Sequence, residues 1–287
     1  MITHPLIAVH VHLFYTEMWA QLKERLQHLE PYSYDLYVTL TERAPELEAD
    51  IRAFHSQTEV LQVENRGYDV GPFISVLQRL DLSMYDLVLK IHSKNLHTNT
   101  LTWINHRCVN RKWWCRLLVD SLLGSAKQVR RNIRSFCDNP QLGMLGAAAL
   151  IAEHPGHREN VQELLPQVMR KLGYEHWRFR FVAGTMFMVR SCILQKIKEA
   201  YQPTDFEPTD PLVSDGTLAH AMERAFGCLT LAEGYELQGT GYNWRFELAA
   251  LGTALLQFVY KKKITRKRRL IIKICRIPIL NRKLPPP

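Results

Sequence analysis

Along the first hundred residues, short apolar runs typical of strands alternate with segments that have the apolar periodicity of helices. Runs rich in β-branched and aromatic residues at 6–14, 34–40, 58–63 and 87–91 are typical of buried strands. The segments between these runs carry apolar residues every three to four positions, which predicts helices. Four strands alternating with three helices predict an open, mostly parallel sheet flanked by helices, so the fold class is α/β.

The second half of the chain is less regular, although most of it also has helical periodicity. Gly124 divides a helical stretch over 112–136 into two helices, and 178–189 predicts either one long strand or a pair of strands. Further helices are predicted over 161–172, 191–201, 215–226 and 244–260. Ser214 or Asp215 is the predicted cap of the third of these helices.

Basic charge is concentrated at the carboxyl end of the chain. Residues 261–287 contain eleven Lys or Arg and no acid, whereas the whole chain has a net charge of +9, so the other 260 residues sum to about −2. Because bulky apolar residues are interleaved with these bases, we expect the tail to bind an anionic membrane surface. A nucleic-acid-binding arm is the rival interpretation. The predicted division is a domain over 1–245 and a helical, basic extension over 246–287.

Targeting and redox signals are weak. The sequence has no run of 18 apolar residues, its amino end lacks the pattern of a signal peptide, and its six cysteines include no Cys-x-x-Cys pair. These features predict a cytoplasmic protein with reduced thiols, held at the inner face of the bacterial cytoplasmic membrane by its basic tail.

A loop after the third predicted strand carries the first group of candidate binding residues. Asn65 and Arg66 precede Gly67, and Asp69 lies between Gly67 and Gly71; the two glycines permit tight turns and a close approach of a ligand to the backbone. Arg66 can pair with a phosphate, and Asp69 can accept hydrogen bonds from a base or a ribose. An ordinary glycine turn with a surface ion pair is the alternative.

A second group follows the fourth strand, where Lys90, His92 and Lys94 alternate and are predicted to share one face. His92 and Lys94 offer donors that can neutralise a departing diphosphate. His12, on the first strand, is a further candidate for the donor side. No Asp-x-Asp pair occurs in the chain, so no metal ligands are assigned and no cofactor is certain, although a divalent metal remains possible.

A third group lies near the start of the helix predicted over 215–226. Asp215, His220 and Glu223 fall within about two helical turns, and a carboxylate there can deprotonate an acceptor hydroxyl. Asp215 is the first candidate for a general base and Glu223 the second. The alternative for Asp215 is a helix cap without a catalytic role.

Three strings in order resemble the rhamnan synthesis protein F family: 65–73 (Asn-Arg-Gly-Tyr-Asp-Val-Gly-Pro-Phe), 90–94 (Lys-Ile-His-Ser-Lys) and 183–187 (Ala-Gly-Thr-Met-Phe). The resemblance covers roughly residues 5–245. It implies a GT-A-like glycosyltransferase of bacterial surface polysaccharide, with dTDP-L-rhamnose as the implied donor. By the same analogy, the loop at Asn65 contacts the nucleotide, His92 and Lys94 lie at the place of the absent metal motif, and Asp215 lies near the base.

The resulting hypothesis is a nucleotide-sugar-dependent transferase that acts on a lipid-linked glycan and binds no nucleic acid. The rival from another class is a non-catalytic module that recruits polysaccharide enzymes to the membrane. Nucleotide binding separates the two, because a recruiting module has no reason to bind a nucleoside diphosphate.

Overall fold

The computed structural model describes residues 4–95, 101–104, 107–153, 159–209, 215–241, 244–264, 269–275 and 277–283. The described chain folds as two compact units, one of residues 1–95 and 115–242 and another of residues 96–114 and 243–287. The sequence predicts a boundary after residue 245, whereas segment 96–114 groups with the carboxyl-terminal residues in the structure.

The described strands are, in chain order, β1 (Ile7–Leu13), β2 (Tyr34–Leu40), β3 (Thr58–Gln62), β4 (Leu87–His92), β5 (Leu101–Ile104), β6 (Arg107–Asn110), β7 (Leu142–Ala147), β8 (Ile151–Ala152), β9 (Phe181–Val182), β10 (Phe187–Arg190), β11 (Glu236–Thr240), β12 (Tyr260–Ile264), β13 (Arg269–Ile274) and β14 (Ile277–Lys283).

The described α-helices are α1 (Trp19–Leu26), α2 (Pro45–Phe54), α3 (Val70–Arg79), α4 (Arg111–Leu123), α5 (Ala126–Asp138), α6 (Glu159–Lys171), α7 (Gln195–Ala200), α8 (Leu218–Ala232) and α9 (Trp244–Val259). Short 3-10 turns precede or follow several of them, including one at Pro203–Asp205.

The first unit is built on a seven-stranded sheet with the order β11-β7-β10-β4-β1-β2-β3. Within this sheet β10 runs antiparallel to β4 and β7, and the other neighbouring pairs are parallel. Every residue of the central strands β1 and β4 is buried, because helices cover both faces of a sheet of this kind. The predicted α/β class and its first four strands are confirmed.

The apolar core on one face of the sheet is dominated by α3 and α8. Phe73 of α3 meets Phe187 of β10 and Phe226 of α8 in edge-to-face ring contacts, with centroids 6.1 Å and 5.7 Å away. These contacts fix α3 and α8 beside β10, which brings the amino ends of both helices to the same edge of the sheet.

Several predicted boundaries differ in the structure. The segment predicted as one strand or a pair forms two short strands, β9 and β10, separated by a turn at Gly184 and Thr185. Helix α8 begins at Leu218 with Thr217 at its cap position, so the prediction that Asp215 caps this helix is wrong. Asp215 precedes the helix and pairs with a side chain instead, and Ser214 lies outside the described residues.

The carboxyl-terminal extension is only partly helical. Helix α9 forms as predicted, but the described residues after it form the three-stranded antiparallel sheet β12-β13-β14. The expectation of a helical extension is therefore wrong beyond Val259. Its sequence alternates bases with isoleucine, and β-branched residues favour strands. Within the described residues, no helix combines the length and the apolar character needed to cross a bilayer.

A close crossing of α8 over β9 generates a test of this packing. A Cβ added at Gly227 would lie 2.2 Å from the carbonyl oxygen of Arg180 and 2.6 Å from Cα of Phe181. Because both atoms belong to the backbone, we expect Gly227→Ala to lower the free energy of unfolding by about 3 kcal/mol. Urea unfolding followed by circular dichroism measures the change.

The matched control is Gly252→Ala in α9, where an added Cβ meets nothing within 4 Å. Alanine is the better helix former by about 1 kcal/mol, so this variant should keep or gain stability. Equal unfolding midpoints for the two variants would contradict the close crossing.

Candidate active site

Polar side chains form a stripe across the middle of the sheet, on the face that α3 covers. In the parallel register of β1 and β4, His10 lies beside Lys90 and His12 beside His92. Residues two apart on a strand share a face, and in-register neighbours share it too, so the four side chains form one group. All four are buried. Such a group in the middle of an apolar sheet is costly unless its members are paired.

An ion pair between Lys90 and Asp69 anchors this stripe. Lys90 Nζ lies 2.5 Å from Asp69 Oδ2 and donates a second hydrogen bond, 2.9 Å long, to the carbonyl oxygen of Thr185. The Lys90 side chain is fully buried, whereas that of Asp69 keeps 17% exposure. Burial lowers the pKa of Lys90, and Asp69 opposes that shift. The pair joins the loop before α3 to β4 and to the turn before β10.

The Asp69 carboxylate is ionised at neutral pH. Burial by itself would raise the pKa of this carboxyl, but the bases around it, Lys90 and Lys94 among them, hold the pKa well below its usual range. The loop and the strand tip that the sequence analysis assigned to donor binding therefore meet in space.

The two histidines of β1 share one hydroxyl group. Thr39 Oγ1 lies 2.9 Å from His10 Nε2 and 3.0 Å from His12 Nδ1, and the His10 ring stacks on Phe73 with centroids 5.4 Å apart. Desolvation lowers the pKa of His12 from 6.5 to about 4 and lowers that of His10 well below 6.5. Both rings are neutral at pH 7, so His12 acts as a hydrogen-bonding group rather than as a cation.

His92 is the buried polar side chain of this site that lacks partners. Its Nδ1 lies 3.4 Å from Asp69 Oδ2, yet neither ring nitrogen makes a hydrogen bond to any described residue. Burial lowers the pKa of His92 well below 6.5, so the ring is neutral and can act as a hydrogen-bond donor without carrying charge. Buried polar atoms are nearly always hydrogen-bonded, so an unpartnered imidazole at a strand tip is typical of a ligand site.

Two tight turns border the stripe, and both contain a residue with unusual backbone geometry. Tyr68 and Thr185 each have a φ of 56°, beside Gly67 at 62° and Gly184 at 101°. Left-handed backbone at a bulky residue costs about 1–3 kcal/mol and is concentrated at functional sites. The carbonyl that Lys90 binds belongs to Thr185, so the ion pair and the strained turn stabilise each other.

Glu223 of α8 holds the turn before β10 from the opposite side. Its Oε1 accepts hydrogen bonds from the backbone N–H of Gly184 at 2.6 Å and from Thr185 Oγ1 at 3.1 Å, while Oε2 lies 3.4 Å from Arg224 Nη1. A carboxylate engaged by three donors is placed to position the turn. The catalytic role predicted for Glu223 stays a prediction.

Asp215 and His220 lie together near the start of α8. Asp215 Oδ2 forms an ion pair with Arg224 Nη2 at 3.0 Å, and both side chains are about nine-tenths buried. His220 Nδ1 lies 2.7 Å from Thr217 Oγ1, and its ring meets that of Tyr68 edge-on with centroids 5.1 Å apart. Burial lowers the pKa of His220, so its imidazole is a free base at neutral pH.

Asn65 and Arg66 lie at the start of the loop that contains Asp69. The backbone carbonyl of Asn65 accepts a hydrogen bond of 2.9 Å from the backbone N–H of Thr209. Arg66 Nη1 donates a hydrogen bond of 2.7 Å to the carbonyl oxygen of Phe206, and Arg66 Nε lies 2.8 Å from Glu64 Oε2. These bonds hold the loop against segment 206–209. The Asn65 side chain is exposed, whereas the Arg66 guanidinium is engaged by protein acceptors.

The structure gives site contacts to Thr185 and Arg224, which the sequence did not select, and it places Lys90 of the second predicted group in the central ion pair. Lys90 had a readable signal, since a lysine within an apolar strand must find a buried partner. Thr185 lies within the matched string 183–187, but its contact with Lys90, 95 positions away, is not visible in the sequence. Arg224 pairs with Asp215, nine positions earlier, and this pairing depends on the turn before α8.

The described donor set does not fit a divalent metal ion. Asp69 has its carboxylate in an ion pair with Lys90, and among the described residues no group of three or more His, Cys, Asp or Glu side chains could hold a metal. The chemistry of this edge is that of nitrogen donors and a paired carboxylate.

Taken together, fold and site define an α/β protein with a buried charged cluster at the carboxyl edge of its parallel strands, where open α/β sheets bind ligands. The family model described as Rhamnan synthesis protein F matches residues 1–235. The chain belongs to the rhamnan synthesis protein F family, as the resemblance of its motifs indicated.

Two curated relatives are 30% identical to this chain over 191 residues: the "Uncharacterized protein WxcX" of two strains of Xanthomonas campestris pv. campestris. The matched region is 63% of this chain and 25% of each relative, so the chain spans about a quarter of their length.

Two solved structures resemble the fold weakly. TarS 1-349 of S. aureus has a TM-score of 0.39 and 12% identity, over 78% of this chain and 55% of that one. Glucosyl-3-phosphoglycerate synthase of Mycobacterium tuberculosis, solved with phosphoglyceric acid, has a TM-score of 0.36 and 12% identity. The match covers 97% of this chain and 90% of that chain. Likenesses at this level carry no inference about this chain.

The ion pair of the site predicts a strong coupling. Lys90→Met should leave a largely buried carboxylate without its partner, and Asp69→Asn a buried ammonium, so each single variant should lose about 3–5 kcal/mol of unfolding free energy. The double variant removes both charges and should lose less than the sum. Urea unfolding of the four proteins measures the coupling, and strictly additive losses would contradict it.

The lowered pKa of His12 predicts a loss of stability in mild acid. Between pH 6.5 and about 4 the unfolded chain binds a proton at His12 and the folded chain does not, so stability falls as pH falls through this window. Between pH 7 and pH 5 His12 alone should account for about 2 kcal/mol. His12→Gln should show a smaller drop in urea unfolding free energy than the parent.

The matched control for this pH test is His176→Gln, at an exposed position. It should keep the parent's full pH dependence. If His12→Gln and His176→Gln lose the same free energy between pH 7 and pH 5, the buried His12 does not titrate as described.

Proposed function

We propose that this protein is a GT-A-like, nucleotide-sugar-dependent glycosyltransferase that adds a sugar to a growing, lipid-linked surface polysaccharide. The observation that carries the proposal is the buried His92 imidazole at the tip of β4, which lies 3.4 Å from Asp69 and makes no hydrogen bond to the part of the chain that the structure describes. The family's description as rhamnan synthesis protein F supports L-rhamnose as the sugar and dTDP-L-rhamnose as the donor.

The diphosphate of the donor is proposed to lie at the tip of β4. Lys94 supplies positive charge there. This charge lowers the pKa of Asp69, His92 and Lys90. A neutral His92 can donate one N–H to a phosphate oxygen, which supplies a bond that the described residues do not provide. As the bond to the sugar breaks, charge grows on the diphosphate, and donors already fixed in place stabilise it.

The nucleoside is proposed to lie along the loop that contains Asn65 and Asp69. The exposed Asn65 amide can form hydrogen bonds with the polar edge of a base. The partly exposed Asp69 carboxylate can accept a hydrogen bond from a hydroxyl group. Arg66 is placed to hold this loop against Phe206, so its effect on donor binding is proposed to be indirect.

The acceptor hydroxyl is proposed to approach from α8. Three side chains there are candidates for removing its proton, and they differ in what already binds them. Asp215 is held by Arg224, Glu223 is held by the turn at Gly184, and His220 is unprotonated at neutral pH. Asp215 stays the first candidate, because the burial that leaves His220 unprotonated also makes it a weak base, and His220 Nδ1 is already bonded to Thr217.

A transfer assay with substituted side chains tests this function. With dTDP-rhamnose as donor, we expect Lys94→Ala to lower donor turnover by about 100-fold or more, because it removes a charge on the leaving group. His92→Ala should weaken the stabilisation of the protein by dTDP in a thermal melt. Lys127→Ala, at an exposed position on α5, is the matched control and should behave as the parent.

Full turnover by Lys94→Ala would reject the proposed diphosphate site. A parent protein that shows no thermal shift with dTDP or UDP and no donor hydrolysis would favour the non-catalytic recruiting module instead. Turnover with UDP-sugars but not with dTDP-rhamnose would keep the transferase and reject rhamnose as its sugar.

A further inference from the structure

An apolar stripe runs along one side of α9. Trp244, Leu248, Leu251, Leu255 and Val259 are each between 51% and 58% exposed. At about 100° per residue these five positions fall within an arc of about 80° on the helix. The buried Ala250 lies on the opposite side, so α9 packs through that side and presents the stripe outward. An exposed apolar face of this length marks an interaction site.

The same compact unit contains the strongly basic carboxyl-terminal stretch of the chain. Strand β12 begins directly after α9, and β12, β13 and β14 form one antiparallel sheet. Residues 261–287 contain eleven Lys or Arg and no acid. On β14, Ile277 and Ile279 are exposed as well, at 65% and 57%. Exposed apolar side chains and a strongly basic stretch of sequence therefore belong to adjacent elements of a single unit.

We propose that this unit docks on an anionic lipid bilayer, with the stripe of α9 buried in the interface between headgroups and acyl chains. The basic strands bind the anionic headgroups while α9 lies parallel to the membrane plane. The sequence analysis assigned membrane binding to the basic tail, and the structure assigns the apolar half of the contact to α9. This inference does not depend on the proposed transfer reaction.

The combination of features selects a membrane over other partners. A nucleic acid would use the bases but would leave five large apolar side chains in water. A second copy of this chain could cover the stripe, but it would bring another eleven bases against the first eleven. With 16 residues, α9 is also too short to span the hydrocarbon core, which fits a helix that lies on the surface.

Sedimentation with vesicles tests the proposal on the 287-residue chain. We expect the parent to bind vesicles that contain phosphatidylglycerol much more tightly than vesicles of phosphatidylcholine alone. The double variant Leu251→Ser/Leu255→Ser should bind the anionic vesicles at least about tenfold more weakly, because two side chains lose their burial. Lys261→Gln/Lys262→Gln/Lys263→Gln should weaken binding and reduce its dependence on salt.

Met84→Ser is the matched control, since Met84 is 64% exposed and belongs to the other compact unit. It should bind as the parent does. Unchanged vesicle binding by the double leucine variant would overturn the proposal. Light scattering can also overturn the proposal. If the parent is a dimer and the same two substitutions make it a monomer, the stripe serves self-association.

Discussion

The buried contact between Lys90 and Asp69 is the interaction on which the arrangement of the site depends. An ammonium group with no exposure, in the middle of a sheet strand, can be kept there only by an opposite charge and by further acceptors. Asp69 supplies the charge from the loop before α3, and the Thr185 carbonyl supplies an acceptor from the turn before β10. One side chain on β4 thus fixes three segments that are far apart in the chain.

That constraint accounts for the unusual backbone nearby. Thr185 adopts a left-handed conformation, and its carbonyl and hydroxyl are held from two sides by Lys90 and Glu223. The strain is compensated by charged hydrogen bonds, which are stronger than neutral ones. A polar chain runs from Asp69 through Lys90 and Thr185 to Glu223, and it links the loop before α3 to helix α8.

The pattern of the sequence was enough to predict the open α/β sheet, because period-two and period-3.6 segments alternate clearly in the first hundred residues. It also predicted that the loop at Asp69 and the tip at His92 would meet, since the carboxyl ends of parallel strands share an edge. Pattern could not predict the antiparallel course of β10. That course depends on the turn at Gly184 and Thr185, which Glu223 of a distant helix holds in place.

By itself the sequence determined the fold class, the family and the identity of the polar loops, because these depend on local periodicity and on short strings of residues. Only the tertiary structure decided the state and partners of each side chain. Burial makes His12, His92 and His220 neutral, Arg224 pairs with Asp215, and Lys90 becomes central although its neighbours in sequence are apolar. The reason is physical: a pKa and an ion pair depend on what surrounds a group in space, and those neighbours come from distant parts of the chain.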